Sequence, residues 1–524
     1  MAVNSADNVM VQGTCSSAGK SVLVAGICRI LRRRNIKAVP FKAQNMALNS
    51  YVTEAGKEMG RAQVFQAEAA GVKPDVRMNP VLLKPSGEKG SQVIVRGEPR
   101  EHMKAGEYYE YKPQLKSVVR EAYQELAAEH EVVVIEGAGS PAEINLHDND
   151  IVNMGMARMV DAPVLLVGVI ERGGVFASLY GTVELLPTSD RERIKALIIN
   201  KFRGSEELLE PGIDQLEDML NIPFLGVLPY IDLALDDEDS LSERLITSRT
   251  SRGGKEDDLL QAKVILLPHI SNFTDFNPLE MYEGVNVEYI DSPDRVGEAD
   301  LLIIPGSKNT LADRVWLKNR GFDGEIKEFA ESGKLLLGVC GGFQMLGESL
   351  ADPGGAESSL REIPGLGLLP VETEMAQEKR TVQASGQWQY EDEHLFAGMK
   401  GLEIEGYEIH MGITHLLEKS SVQPLESEGD SLISLLNDGG NILGTYWHGI
   451  FENGEWTASL LNNMKNTLGY NEVSKGDPSP DLSYEELKER EYDKLTDMLE
   501  ENLDLKFLSE IIRSDRSGNS QIQL

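Results

Sequence analysis

NVMVQGTCSSAGKSVLVAGICRILRRR (8–34) is a β-branched run, a turn of small residues and an apolar helix-forming stretch, in that order. A strand that turns through small residues into a helix opens a nucleotide-binding α/β unit. The N–H groups of the turn face an anion, and the helix start adds the positive end of its dipole. In GTCSSAGKS (13–21), Lys20 is placed to reach the β- and γ-phosphates and the Ser21 hydroxyl to ligate Mg²⁺. Gly13, Thr14, Ser16, Ser17 and Gly19 supply the remainder of the cradle. The spacing departs from the usual loop, in which four residues precede the Gly-Lys pair, because five (14–18) separate Gly13 from Gly19.

Outward from this unit, further short apolar runs stand at 37–41, 132–135, 163–170 and 196–200, with helix-length segments between them. Runs apolar on both faces predict parallel strands of a doubly wound sheet, so residues 1–235 form one α/β domain. The run VVVI ends in Glu136 and a Gly-rich turn, which puts a carboxylate at a strand end where it can hold Mg²⁺ over the phosphates. Residues 236–258 are polar, charged and aperiodic, and are expected to be an acidic linker. A second strand and helix alternation fills 259–470 with runs at 262–268, 299–306, 333–342 and 442–450, predicting a second α/β domain. The remainder, 471–524, starts with Pro and Gly and then sets leucines among charges, predicting a tail of one or two amphipathic helices.

The 524 residues carry 51 Lys+Arg and 85 Asp+Glu, a net charge of −34. Chains that bind nucleic acid or anionic membrane generally use basic surface, so neither partner is expected. Residues 1–100 nevertheless hold 15 basic and 7 acidic side chains, 15 − 7 = +8, and anion handling is expected there. Three cysteines without paired spacing exclude a disulfide framework and a Cys-rich zinc module, which fits a reducing cytoplasm. The N-terminal stretch has no signal-peptide pattern, and the longest apolar runs fall far short of the ~20 residues of a membrane span.

Cys340 in GVCGGFQMLG follows an apolar strand. G-x-C-x-G is a nucleophile elbow, whose glycines permit the strained turn that exposes the side chain while the next helix start favours a thiolate. His448 in GTYWHGIFEN also follows a strand and is the expected base, ahead of His410 in GYEIHMGIT. The loop IIPGSKNT places the Gly306 N–H where, with that of Gly341, it completes an oxyanion hole.

These motifs carry resemblances. The longer phosphate loop resembles that of dethiobiotin synthetases, which implies ATP as nucleotide, Asn200 in INKFRG at the adenine and Lys42 near the carboxylate and γ-phosphate. The second domain resembles class I, triad-type glutamine amidotransferases, flavodoxin-like in fold, which implies a glutamyl thioester on Cys340 and a glutamine-holding Gln344. The third triad member departs: Ile450 stands where most such enzymes have Glu, with Glu452 nearby. That departure resembles the cobyrinic acid amidases, in which a Cys–His pair suffices.

Across nearly the whole chain, PFKAQNMALNSYVT (40–53), GRAQVFQAEAAG (60–71), MNPVLLKP (78–85), ERGGVFASLYGT (171–182) and GYEIHMG (406–412) are similar to the cobyric acid synthase family. The resemblance implies ATP- and glutamine-dependent amidation of a corrinoid polycarboxylate, in four side chains. Lys42, Gln44, Asn45, Asn49, Arg61, Gln63, Asn79 and Lys84 are then the candidates for corrinoid contact. Two alternatives stand beside it: an a,c-diamide synthase with both domain types, and a partitioning-type ATPase, for which Cys340 and His448 have no use. The oligomeric state is left open.

Overall fold

The computed structural model describes residues 6–85, 90–233, 259–282, 284–417, 424–428, 431–470, 484–513 and 524. The expected linker 236–258 lies outside the described residues, as does 471–483 of the expected tail.

Five expected runs form strands of one six-stranded sheet, all parallel: in spatial order Ile194–Phe202, Val164–Val169, Asp7–Gly13, Val132–Glu136 and Ala38–Phe41. A sixth strand, Phe224–Pro229, extends the edge beside Ile194–Phe202. Val9, Met10 and Val11 and all of Val132–Ile135 have no accessible surface, because elements cover both faces and no strand has a wet side. The phosphate loop leaves the carboxyl end of a central strand, next to the strand that ends in Glu136. Ligands of open α/β sheets sit at that edge.

Residues 44–103 add a unit not anticipated from the sequence, a four-stranded sheet of Gln44–Met46, Val81–Pro85, Ser91–Val95 and Glu98–Met103. Its strands are short, mostly antiparallel and paired locally.

The second domain is built on a seven-stranded sheet ordered Val285–Ile290, Leu260–Ile265, Leu301–Ile304, Leu335–Val339, Ile442–Thr445, Ser431–Leu436, Pro424–Glu428. The first five strands are parallel and the last two antiparallel. A long antiparallel hairpin, Val371–Gln387 with Glu403–Leu416, stands apart in a second sheet. Both domains are therefore doubly wound α/β units, as the apolar runs imply.

The tail helices Tyr484–Asn502 and Leu505–Ile512 pack on the first domain rather than the second. Tyr492, Leu495, Leu499 and Leu503 join the core beneath helix Lys20–Arg33. There Gly26 has no side chain because a Cβ would lie 2.1 Å from Leu499 Cδ1. Arg29 pairs with Glu489 and Asp493 at 2.7 and 2.8 Å, Arg33 with Asp497 at 2.6 Å and Arg34 with Glu500 at 2.6 Å. Part of the N-terminal basic excess thus meets the acidic tail, not a ligand. The more exposed pairs of Arg33 and Arg34 contribute about 0–1 kcal/mol each, so the apolar seam dominates the docking over them. Leu495→Ala, at a fully buried position, is expected to cost about 2–5 kcal/mol, read as a lowered melting temperature of the full chain. An unchanged melting temperature would mean that the ion pairs alone hold the tail. No helix among the described residues is long and apolar enough to cross a membrane.

Candidate active sites

Gly19, the residue before helix Lys20–Arg33, has φ +83°, and a Cβ there would meet the Asn200 amide at 2.2 Å. Only glycine lets the loop close this tightly. Lys20 Nζ lies over the loop, donating to the Cys15 carbonyl at 2.9 Å and to that of Gly139 at 3.4 Å. Ser21 Oγ donates to Glu136 Oε1 at 2.9 Å, and Lys42 Nζ lies 2.8 Å from the same oxygen. Gln66 Nε2 donates to Glu136 Oε2 at 2.6 Å. Burial works to raise the Glu136 carboxyl, but the charge and hydrogen bond of Lys42, with Gln66, hold it below the usual carboxylate value. A hydroxyl and an ionised carboxylate beside a phosphate cradle are the oxygen ligands Mg²⁺ takes, with phosphate and water completing its shell. Among the described residues no three-fold cluster of His, Cys, Asp and Glu offers an all-protein metal cage instead. Asn200 stands at the end of its strand, where its amide donates to the Ala18 carbonyl at 2.9 Å and braces the loop from one side.

In the second domain, four neighbouring strands of one sheet deliver the site. Cys340 follows Leu335–Val339 with φ 52° and ψ −107°, a conformation costly for any residue but glycine and the mark of a nucleophile elbow. The turn closes because Gly342 lacks a side chain, since a Cβ there would sit 1.9 Å from the Ile304 carbonyl oxygen. Cys340 N donates to the Thr445 carbonyl at 2.8 Å, tying the elbow to the strand that leads to His448. Gly306 leaves the strand on the other side, and a Cβ on it would come 3.6 Å from His448 Cε1. A Cβ on Gly341 would come 2.9 Å from Ser307 N. The two glycines expected at an oxyanion hole are thus the chain neighbours of Ser307 and Cys340, which line one pocket with His448.

The fourth strand supplies what the sequence reading lacked. Asp275, on the short 3₁₀ helix Phe273–Phe276 that follows strand Leu260–Ile265, accepts from His448 Nδ1 at 2.6 Å. Burial alone would lower the imidazole, but Asp275, through charge and hydrogen bond, and then Cys340 outweigh it and raise His448 to about 9. His448 Nε2 is buried and, among the described residues, engages no group besides Cys340, which leaves it to proton transfer at that sulfur. Ile450, in the position usually taken by Glu, is buried in the apolar core. Glu452 turns away to Arg61 at 2.6 Å. A Cys–His pair without a third member is thus not the arrangement here. Asp275 lies 173 positions from His448, among the turn-forming residues SNFTDFNP (271–278), and only its place after a neighbouring strand hinted at it.

Gln344 Nε2 donates to Tyr446 Oη at 3.0 Å, while its buried Oε1 has no partner among the described residues and is open to a donor on a ligand. His410, also in the pocket wall, is held by the Gly412 carbonyl and Glu408 and stacks on Tyr446 at 3.7 Å. It braces the wall rather than the nucleophile.

The domains meet at this pocket. Lys84, Gln92 and His102 of the first domain line it together with Cys340. The Ser50 carbonyl accepts from Asn272 at 3.0 Å and from Tyr407 Oη at 3.1 Å, and Tyr407 stacks on His448 at 5.3 Å. Helix Arg61–Ala70 links the two domains, with Gln66 on Glu136 of the first and Arg61 on Glu452 of the second.

Most of the residues expected at the corrinoid hold one another or the second domain, because their polar side chains point inward. Asn49 Oδ1 accepts from Phe273 N across the interface, Arg61 takes Glu452, and Lys84 takes Ser50 and Glu58 at 2.6 and 2.5 Å. Asn45 donates to Gln63, Gln63 to Glu136, and Asn79 to the Lys42 and Val81 carbonyls. All six are buried and engaged in the protein's own network. Gln44 is half-buried under Tyr108 Oη. Lys42 keeps a place beside the phosphate loop, on Glu136.

Residues 9–241 match the CobQ/CobB/MinD/ParA nucleotide binding domain and residues 261–456 the CobB/CobQ-like glutamine amidotransferase domain. The chain is 49% identical to a cobyric acid synthase of Alkaliphilus metalliredigens, over 97% of this chain and 100% of that one. It is 47% identical to a cobyric acid synthase of Thermoanaerobacter sp., over 96% and 98%, and 48% identical to one of Streptococcus sanguinis, over 97% and 99%. Two domain matches in this order and full-length likeness to three curated proteins of one kind leave one conclusion: the chain belongs to the cobyric acid synthase family.

Proposed function

We propose that this ligase of cobalamin biosynthesis amidates the b, d, e and g carboxylates of adenosylcobyrinic acid a,c-diamide, giving adenosylcobyric acid with ATP and glutamine as cosubstrates. The observation that carries the reading is the joining of the two sites: the pocket of Cys340 is walled by Lys84, Gln92 and His102 of the nucleotide domain. Ammonia released there is delivered against the domain that consumes it.

In the glutaminase half, the Cys340 sulfur attacks the γ-carbonyl of glutamine. The carbonyl oxygen gains charge in front of the Gly306 and Gly341 N–H groups. His448 gives a proton to the leaving ammonia and then takes one from the water that hydrolyses the thioester to glutamate, while Asp275 keeps the ring oriented. In the synthetase half, residues 13–21 cradle ATP and Lys20 neutralises charge on the transferring phosphoryl group. Ser21 and Glu136 are the residues that would hold Mg²⁺, which when bound shields the phosphates. The substrate carboxylate takes the γ-phosphoryl group, ADP leaves, ammonia attacks the acyl phosphate, and phosphate departs as the amide forms. Lys42 is suited to guide that carboxylate. The a,c-diamide is favoured over its precursor by the likeness to cobyric acid synthases over 97% of the chain.

Mass spectrometry of the corrinoid after incubation with ATP, Mg²⁺ and glutamine tests the reading. The expected product carries NH₂ in place of OH at four carboxyls. Conversion of cobyrinic acid to its a,c-diamide instead would overturn it.

The role given to Asp275 has its own expected outcome. Asp275→Asn should lower glutaminase kcat/KM on the order of 10²- to 10⁴-fold while amidation with added ammonia persists. It should also move the alkaline limb of the pH profile below that of the unaltered enzyme, because loss of the carboxylate removes what raises His448 to about 9. An unshifted limb would assign Asp275 a packing role only.

A further inference from the structure

The pocket of Cys340 contains charged groups that the chemistry above does not use. Glutamine is more than an amide: at its other end stand an α-ammonium and an α-carboxylate, and an enzyme that takes free glutamine must distinguish it from the side-chain amides of proteins and metabolites. Glu357 and Lys308 line the same pocket as Cys340 and Gln344. Glu357 accepts from Thr310 N at 3.1 Å, and Thr310 Oγ1 would lie 3.2 Å from a Cβ placed on Gly341, so the carboxylate is one residue removed from the elbow. Lys308 follows Ser307, whose N borders Gly341 from the same side. Among the described residues the Lys308 ammonium makes no ion pair, although its charge acts on Glu357. The other cations of the pocket wall, Lys84 and Lys379, are both committed to Glu58 at 2.5 Å. One acid and one uncommitted base therefore face a pocket that ends in a nucleophile.

We infer that Glu357 is the receptor for the α-ammonium group of glutamine, with Lys308 facing its α-carboxylate, so that this pair selects the free amino acid while Cys340 attacks its amide. The inference rests on the reading of Cys340 as a glutaminase nucleophile. It agrees with the electrostatics of the empty pocket. Burial, with Asp352 adding to it, pushes the Glu357 carboxyl up to about 7 against the pull of Thr310 and Lys308, and a bound ammonium would relieve that strain.

The test compares L-glutamine with glutaramic acid, which is glutamine without its α-amino group, as substrates of the unaltered enzyme, Glu357→Gln and Glu357→Asp. Melting temperature reports whether each variant is folded. The unaltered enzyme should prefer glutamine strongly. In Glu357→Gln the KM for glutamine should rise on the order of 10- to 100-fold with kcat changed far less, the KM for glutaramic acid should stay, and Glu357→Asp should fall between. Glutamine KM left unchanged, or raised equally with that of glutaramic acid, overturns the assignment. Absence of glutamine hydrolysis in the unaltered enzyme overturns the reading of Cys340 instead, so the two failures are told apart.

Discussion

Cys340→Ala should abolish amidation driven by glutamine and leave amidation driven by added ammonia. The expected loss in glutaminase turnover is on the order of 10⁴-fold or more, because no other group can form the thioester and the histidine and its carboxylate have nothing to activate without the sulfur. The side chain is buried, but it is not a core packing residue that a methyl group replaces for free. It sits at φ 52°, held by its own N–H to Thr445 and by the contact of Gly342 with Ile304. A backbone kept in that conformation by its neighbours keeps its shape when the sulfur is removed, so the synthetase half should remain intact. Loss of the ammonia reaction as well would mean that Cys340 acts in both halves, contrary to the division of labour proposed.

Lys20→Ala should remove both reactions. Glutamine and ammonia differ only in where the nitrogen comes from, and each needs the carboxylate activated by phosphoryl transfer. The expected loss is on the order of 10²- to 10³-fold at least, the scale of deleting one charge-stabilising group from a transition state. In the structure Lys20 Nζ is held by the carbonyls of Cys15 and Gly139, which is where phosphate oxygens would compete for it. The measurement is ADP formation in the presence of the corrinoid. ADP formed at the unaltered rate would show that the loop does not bind the transferred phosphate.

Much of this architecture is legible in the sequence, and the reason is burial. Parallel strands covered on both faces must be apolar throughout, so VVVIE, LLLGV and ALIIN announce themselves. Motifs that need glycines at fixed offsets do the same, since Gly19 and Gly342 answer to backbone geometry rather than to preference. The hairpin Val371–Gln387 with Glu403–Leu416 does not, because much of its length is exposed and its sequence is correspondingly polar. Asp275 is hidden for another reason. A carboxylate that orients a histidine needs only to be near it in space, and FTDF carries no local feature that says so.

The polar residues of 44–84 are the opposite case, since an Asn or Gln reads alike whether it meets a ligand or a neighbouring strand. Here Asn45, Gln63 and Asn79 meet the protein itself. The charge asymmetry is sharpened in the same way. Arg29, Arg33 and Arg34 pair with the tail, while Lys20 and Lys42 stand at the phosphate loop, the latter on Glu136.

The central claim is that nitrogen released at Cys340 ends in the corrinoid amides through chemistry at the phosphate loop. Its most direct test supplies glutamine labelled with heavy nitrogen in the side-chain amide, together with ATP, Mg²⁺ and the a,c-diamide, and reads the product by mass spectrometry. The account predicts four labelled amides from the unaltered enzyme and none from Cys340→Ala. A corrinoid left as the acid by the unaltered enzyme, or amides free of label, would contradict it.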